Sequence, residues 1–192
     1  MAKETDRYTG VAIGLHWLIA ALILGQILGG WTMTDEATPR AQAFQMFQLH
    51  KSFGFTILAL SVARLAWRLM NPPPGLPAGM KPWEVAGARL THVGFYVLMI
   101  GIPFSGWVLM STAPYSVTTL WFGLFEVPKL PFLPELEGKK AVNEAAESAH
   151  SALVWATIGL LALHVGAALK HHFVNRDGVL ARMLPFLKAR SV

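Results

Sequence analysis

Cysteine is absent from this chain, and charge is scarce. The first absence excludes disulfides, thiolate metal ligation, iron–sulfur clusters and the C-x-x-C-H attachment of a c-type haem. The second is nearly as restrictive. Only 14% of the 192 residues are Asp, Glu, Lys or Arg while 54% are hydrophobic, and mean hydropathy is +0.45; a soluble domain usually carries about 25% charged residues. Tyr8–Thr34, Leu90–Phe125 and Ser148–Leu169 contain no Asp, Glu, Lys or Arg, and Ala41–Ala63 contains only Lys51. Each is long enough for the roughly 20 residues of a membrane-spanning helix.

The pattern predicts an all-α integral membrane protein, a single domain over residues 1–192, with a bundle of four transmembrane helices at about 12–33, 48–69, 90–112 and 148–172. The first apolar run is too long for the h-region of a signal peptide and is followed by no clear small-residue cleavage pattern, so it reads as a retained helix. NPPPGLPAG (Asn71–Gly79) separates helices 2 and 3, because consecutive prolines cannot continue a helix. Ala113–Gly138, rich in Pro, Phe and Leu, predicts an interfacial segment before the polar GKKAVNEAAES.

With the N-terminus in the cytoplasm, eleven of the sixteen basic residues fall on the inner side: Lys3, Arg7, Arg64, Arg68, Lys81, Arg89, Lys170, Arg176, Arg182, Lys188 and Arg190. The positive-inside rule therefore puts both termini in the cytoplasm. The formal charge of +5 is mostly a topology signal, and without a basic soluble domain nucleic acid is not an expected partner. Trp17 and Trp67 near the inner ends, with Trp31 and Trp121 towards the outer ends, read either as anchors in the lipid headgroups or as ordinary packing.

Polar groups inside a bilayer are costly and face the bundle interior with a partner. The histidines sort by depth on the predicted topology. His16, near the inner start of helix 1, shares a level with His164, near the inner end of helix 4; His50 and His150 share a level near the outer side. His150 and His164 are fourteen residues apart, which leaves them about 40° apart around the helix and about 21 Å apart along it. One helix thus offers a ligand near each surface. A metal is the natural partner of paired imidazoles, and bis-histidine haem uses two neutral rings facing each other across the porphyrin plane. Bare zinc or copper is less apt, since no carboxylate or thiol lies near either pair. Gly25, Gly29, Gly30, Gly54, Gly159 and Gly166 either admit a flat macrocycle or serve close helix packing.

RYTGVAIGLHWL, LHKSFGFTILALSVARLAWRL, THVGFYVLMIGIPFSGW, AHSALVWATIGLLALHVGAALKHHF and RDGVLARMLP follow one another over nearly the whole chain. A histidine–tryptophan pair, two histidines fourteen apart on the last helix and a P-x-x-G-W turn are jointly specific. Together they resemble the bacterial cytochrome b561 proteins, relatives of the cytochrome b subunits of nickel–iron hydrogenases. The resemblance implies a multi-pass protein of the bacterial inner membrane holding two non-covalent b haems, with His16, His50, His150 and His164 as axial ligands. It also implies electron exchange with quinone, ubiquinone being the expected substrate. Some members of the family are similar to a superoxide oxidase, which moves electrons from superoxide to ubiquinone; others are membrane subunits of a dehydrogenase or hydrogenase. A haem or metal transporter or sensor is a reading of another class, disfavoured by the apolar lining.

Several further residues have two readings. Arg64 and Arg68, one turn apart at the inner end of helix 2, suit carboxylates of an inner haem or anchor the topology. Lys51, beside His50, suits an outer propionate, an approaching anion or a lipid headgroup. His92, opening helix 3, fits a haem propionate, a quinone carbonyl or a headgroup contact, and His171 and His172 read as interfacial side chains reaching polar lipid. Pro103 between Gly101 and Gly106 predicts a bend in helix 3, and Met99 and Met110 read as packing. The approach to His150 carries Glu144 and Glu147, with Lys139 and Lys140 upstream, so that entrance is not plainly basic. Because the chain has no cysteine, extraction with acidified acetone should strip all haem colour from the purified protein; colour retained on the polypeptide would contradict a non-covalent cofactor.

Overall fold

The computed structural model describes residues 7–77, 79–115, 117–184 and 186–187. Lys3, Lys188 and Arg190, counted above among the inner basic residues, and Pro185 of RDGVLARMLP lie outside the described residues. Among the described residues four long helices form the bundle: α1 Gly10–Thr34, α2 Arg40–Met70, α3 Pro82–Thr112 and α4 Lys139–Lys170, the last continuing into a π-helical turn at His171–Asn175. All four are long and apolar enough to cross a membrane, and the chain is a multi-pass, all-α membrane bundle.

Helices α2, α3 and α4 begin at Arg40, Pro82 and Lys139 rather than at about 48, 90 and 148. An uncharged run marks the part of a helix that suits hydrocarbon, whereas the backbone keeps winding beyond it until something stops it. Pro39 precedes α2. At α3, Pro82 occupies the first turn and the Glu84 carboxylate accepts the Lys81 backbone N–H at 3.0 Å, a capping arrangement. Gly138, at φ 76°, turns the chain into α4. Thr9 caps α1, its hydroxyl accepting the Ala12 N–H at 3.2 Å.

Helix α1 packs along α2, α2 along α3 and α3 along α4. Arg7 donates to the Leu187 carbonyl at 3.3 Å, so both described ends of the chain meet at one end of the bundle, called here the terminal end. The Trp17 indole donates to the Met183 carbonyl at 2.8 Å and Trp67 to the Thr9 hydroxyl at 2.9 Å, so both N–H groups are satisfied within the protein. Ser52, Ser61, Ser111, Thr112 and Thr119 are among the most completely buried side chains, while Leu69 and Leu163 are 76% and 70% exposed. Small hydroxyl residues let the helices approach, and the bulky apolar surface faces outward, the arrangement lipid requires.

The opposite end is closed by a small hairpin. Strands β1 Leu120–Trp121 and β2 Phe125–Glu126 pair antiparallel around Phe122 and Gly123, both at positive φ. Strands of two residues carry no readable alternation, so the sequence shows only an apolar loop here. The hairpin docks on α2: Gln48 donates to the Thr118 carbonyl at 3.1 Å, Lys51 to the Thr119 hydroxyl at 2.8 Å, and the Trp121 indole to Thr56 at 3.1 Å. Ser52 accepts the Phe122 N–H at 3.0 Å and donates towards the carbonyls of Gln48 and Leu120. Ser52→Ala should leave the Phe122 N–H unpaired and cost about 1–3 kcal/mol of hairpin docking. Hydrogen exchange would show faster exchange at Phe122 with the helices unchanged.

Candidate functional site

Helix α1 rises from the terminal end and places His16 opposite His164, which α4 carries as it returns to that end; the two ring centres are 6.2 Å apart, with planes inclined at 54°. At the hairpin end, His50 of α2 faces His150 of α4, with ring centres 6.3 Å apart and planes at 65°. Helix α4 lends one ring to each pair. Its closest neighbour along the backbone is α3, so the imidazoles span towards α1 and α2 across wider gaps.

Glycine lets two of these rings sit close to a neighbouring helix. A Cβ on Gly106 of α3 would lie 3.5 Å from His150 Cε1, and one on Gly30 of α1 would lie 3.8 Å from His50 Cε1. Gly54 faces the Gln26 amide at 3.7 Å, whereas a Cβ on Gly25, Gly29, Gly159 or Gly166 would meet no atom within 4 Å. Gln26, an amide in the apolar run of α1, donates to the backbone carbonyl of His50 at 2.8 Å and ties α1 to the base of that imidazole. Ser105 lies 2.9 Å from His150 Nδ1. His50 Nδ1 is buried with no hydrogen-bond partner.

The terminal end is cationic. Arg64 donates to the Ala12 carbonyl at 2.9 Å and brings its other terminal nitrogen to 3.4 Å from His16 Nδ1. Arg68 lies over the Tyr96 ring, 5.9 Å from its centre. The two arginines line a small cavity with Tyr8, Trp67, Asn71 and Tyr96. His92 also reaches this level, its ring 6.1 Å from that of His164. It belongs to α3, which packs tightly on α4: a Cβ on Gly94 would lie 3.2 Å from the Leu160 side chain. That close approach of α3 to α4 argues against a macrocycle between His92 and His164, whose ring separation alone would admit one.

At the hairpin end Lys51 is held by Thr119, itself 2% exposed. Lys140 pairs with Glu144 at 3.8 Å on the surface, and Lys139 donates to the Pro134 carbonyl. The basic residues before His150 are therefore offset or engaged. One expectation needs correction: His171 does not reach lipid. It is 8% exposed, because the π-helical turn brings its Nδ1 to 2.5 Å from the Asp177 carboxylate. Asn175 approaches the same nitrogen at 3.2 Å. His172 stacks edge-on against Phe173. Gln26 and Ser105 were not anticipated; the signal for each is a lone hydrogen-bonding side chain in an apolar run.

The two ring separations test what fits between them. A metal–imidazole bond of about 2 Å on each side, plus about 1.1 Å from nitrogen to ring centre, sets two axial rings about 6 Å apart. Both pairs meet that measure. No cluster of three or more His, Cys, Asp or Glu suited to a bare metal ion occurs among the described residues, so a group that supplies its own equatorial ligands fits better.

Four apolar helices with facing imidazoles at two depths have the make-up of a membrane cytochrome b. The sequence profile of prokaryotic cytochrome b561 matches residues 7–186, and the chain belongs to that family. It is 34% identical over 182 residues to cytochrome b561 homolog 2 of Escherichia coli strain K12, covering 93% of this chain and 92% of that one. Cytochrome b561 homolog 1 of the same strain is 28% identical over 187 residues, covering 94% and 98%. A probable superoxide oxidase, CybB, of Yersinia pestis is 28% identical over 184 residues, covering 93% and 96%. The protein is thus a membrane electron-transfer protein of a b-type haem family.

Proposed function

We propose that this chain carries electrons across the bacterial inner membrane through two non-covalent b haems and exchanges them with ubiquinone. The chain is read as one cytochrome domain with both termini in the cytoplasm, which makes the terminal end the inner one. His16 and His164 hold the inner haem, and His50 and His150 the outer. The supporting observation is that two imidazole pairs on facing helices have ring centres 6.2 Å and 6.3 Å apart. Haem iron supplies one-electron carriage. Two neutral imidazoles facing each other would suit a haem that carries electrons rather than one that binds oxygen. Arg64 and Arg68 supply positive charge for the inner carboxylates. His92, near both arginines, suits a propionate or a quinone carbonyl.

Superoxide oxidation is a second reading, supported by the Y. pestis relative and by the Lys51 ammonium fixed beside His50. Two superoxide anions would each release one electron and leave as O2. One ubiquinone would take up both electrons and two protons to become ubiquinol. Should superoxide fail to reduce the protein, a dehydrogenase would be the donor instead.

Two measurements test these readings. The dithionite-reduced spectrum should report two bis-histidine b haems per chain, and His164→Ala should lose the inner haem and keep the outer; retention of both would refute the pairing. Lys51→Gln should slow reduction by superoxide several-fold at low ionic strength, with reduction by dithionite unchanged. An equal superoxide rate in the variant would remove Lys51 from the donor site.

A further inference from the structure

The four inward-facing histidines differ in what meets their Nδ1 atoms. At His150 the neighbour is the Ser105 hydroxyl, 2.9 Å away, on a side chain only 9% exposed. The same hydroxyl oxygen lies 2.8 Å from the Ile102 carbonyl. A carbonyl can only accept, and a serine hydroxyl has one proton to give. With that proton directed to Ile102, whose carbonyl is also within reach of the His150 ring, the serine oxygen accepts and the imidazole Nδ1–H donates. The ring is thereby held as the neutral tautomer with its lone pair on Nε2, the nitrogen turned away from Ser105 and available to a metal. No other member of the two pairs has this arrangement among the described residues. His50 Nδ1 has no partner, and His16 Nδ1 faces an Arg64 guanidinium, which has no acceptor to offer.

We propose that Ser105 is a positioning residue that fixes the tautomer of His150 and lowers the midpoint potential of the haem bound there. The proposal rests on the reading of His150 as an axial ligand. An imidazole that shares its Nδ1 proton with an oxygen acceptor is a more basic ligand at Nε2, and a more basic ligand favours ferric over ferrous iron. Gly106, next to Ser105, makes the contact possible, since a side chain there would press on the His150 ring. Serine and glycine of the P-x-x-G-W turn thus act together, one as acceptor and the other as clearance. The effect is confined to the hairpin-end haem, because Ser105 bonds to only one of the four rings.

The test uses the full-length, haem-loaded protein and a matched pair of variants. Ser105→Thr keeps the acceptor, and Ser105→Val replaces it with a methyl group in the same shape. In spectroscopic redox titration, Ser105→Val should move the outer-haem component to a more positive potential while the inner component stays in place. Ser105→Thr should titrate as the wild type. Ser105→Ala, which adds no bulk, should shift in the same direction as Ser105→Val. The ferric electron-paramagnetic-resonance signal of the outer haem should change in the valine and alanine variants and not in the threonine variant. Identical outer potentials in all four proteins, with two bis-histidine signals present, would overturn the role of Ser105. Absence of those signals from the wild type would instead overturn the ligand assignment, and this inference with it.

Discussion

An imidazole nitrogen left unpaired in hydrocarbon is costly, since water is not there to supply a partner. Here four such rings sit on helices that are otherwise strongly apolar, and they are placed so that each faces another. Much of the bundle follows from that requirement. Helix α4 must keep two rings on one face, and α3, its closely packed neighbour, adjoins both of them, with Ser105 and Gly106 at His150 and His92 and Phe95 at His164. Helices α1 and α2 must each present one histidine across a gap, and Gly30 and Gly106 clear the approach of the hairpin-end rings. Elsewhere in the interior, small hydroxyl side chains such as Thr157 return their protons to helix carbonyls, here that of Leu153.

The two levels have different surroundings. Arg64, Arg68, His92 and Tyr96 gather at the terminal end, where cationic charge and aromatic rings adjoin a cavity. The hairpin end is closed by neutral hydrogen bonds from Gln48, Ser52, Thr56 and Thr119, with Lys51 as the cation among them. A site lined mainly by neutral hydrogen-bonding groups and one lined by arginines respond differently to an added negative charge. Two nearly equal ring spacings therefore do not make two equivalent sites.

Much of this was legible in the sequence. Uncharged runs revealed the four helices, and the depth of each histidine on them anticipated that His16 faces His164 and His50 faces His150, but not that His92 brings a third ring to 6.1 Å from His164. Helix starts were not legible, because Arg40, Pro82 and Lys139 lie in polar stretches where winding is decided by caps. The hairpin was hidden by the shortness of its strands and by Phe122, whose positive φ no composition rule would suggest. His171 was misread because its partner Asp177 becomes a neighbour only through the π-helical turn. Ser105 looked like any small residue of a membrane helix; its importance depends on which way its single proton points, a matter of geometry between two helices.

The fourteen-residue interval on α4 also has an electrical meaning. Its rise of about 21 Å is roughly two thirds of a hydrocarbon layer about 30 Å thick. An electron passed from one proposed centre to the other would move through a comparable share of the transmembrane voltage. At about 2.3 kcal/mol per elementary charge per 100 mV, that share amounts to roughly 1.5 kcal/mol. Traffic along α4 would then be electrogenic, and an energised membrane would bias its direction before any donor or acceptor arrives.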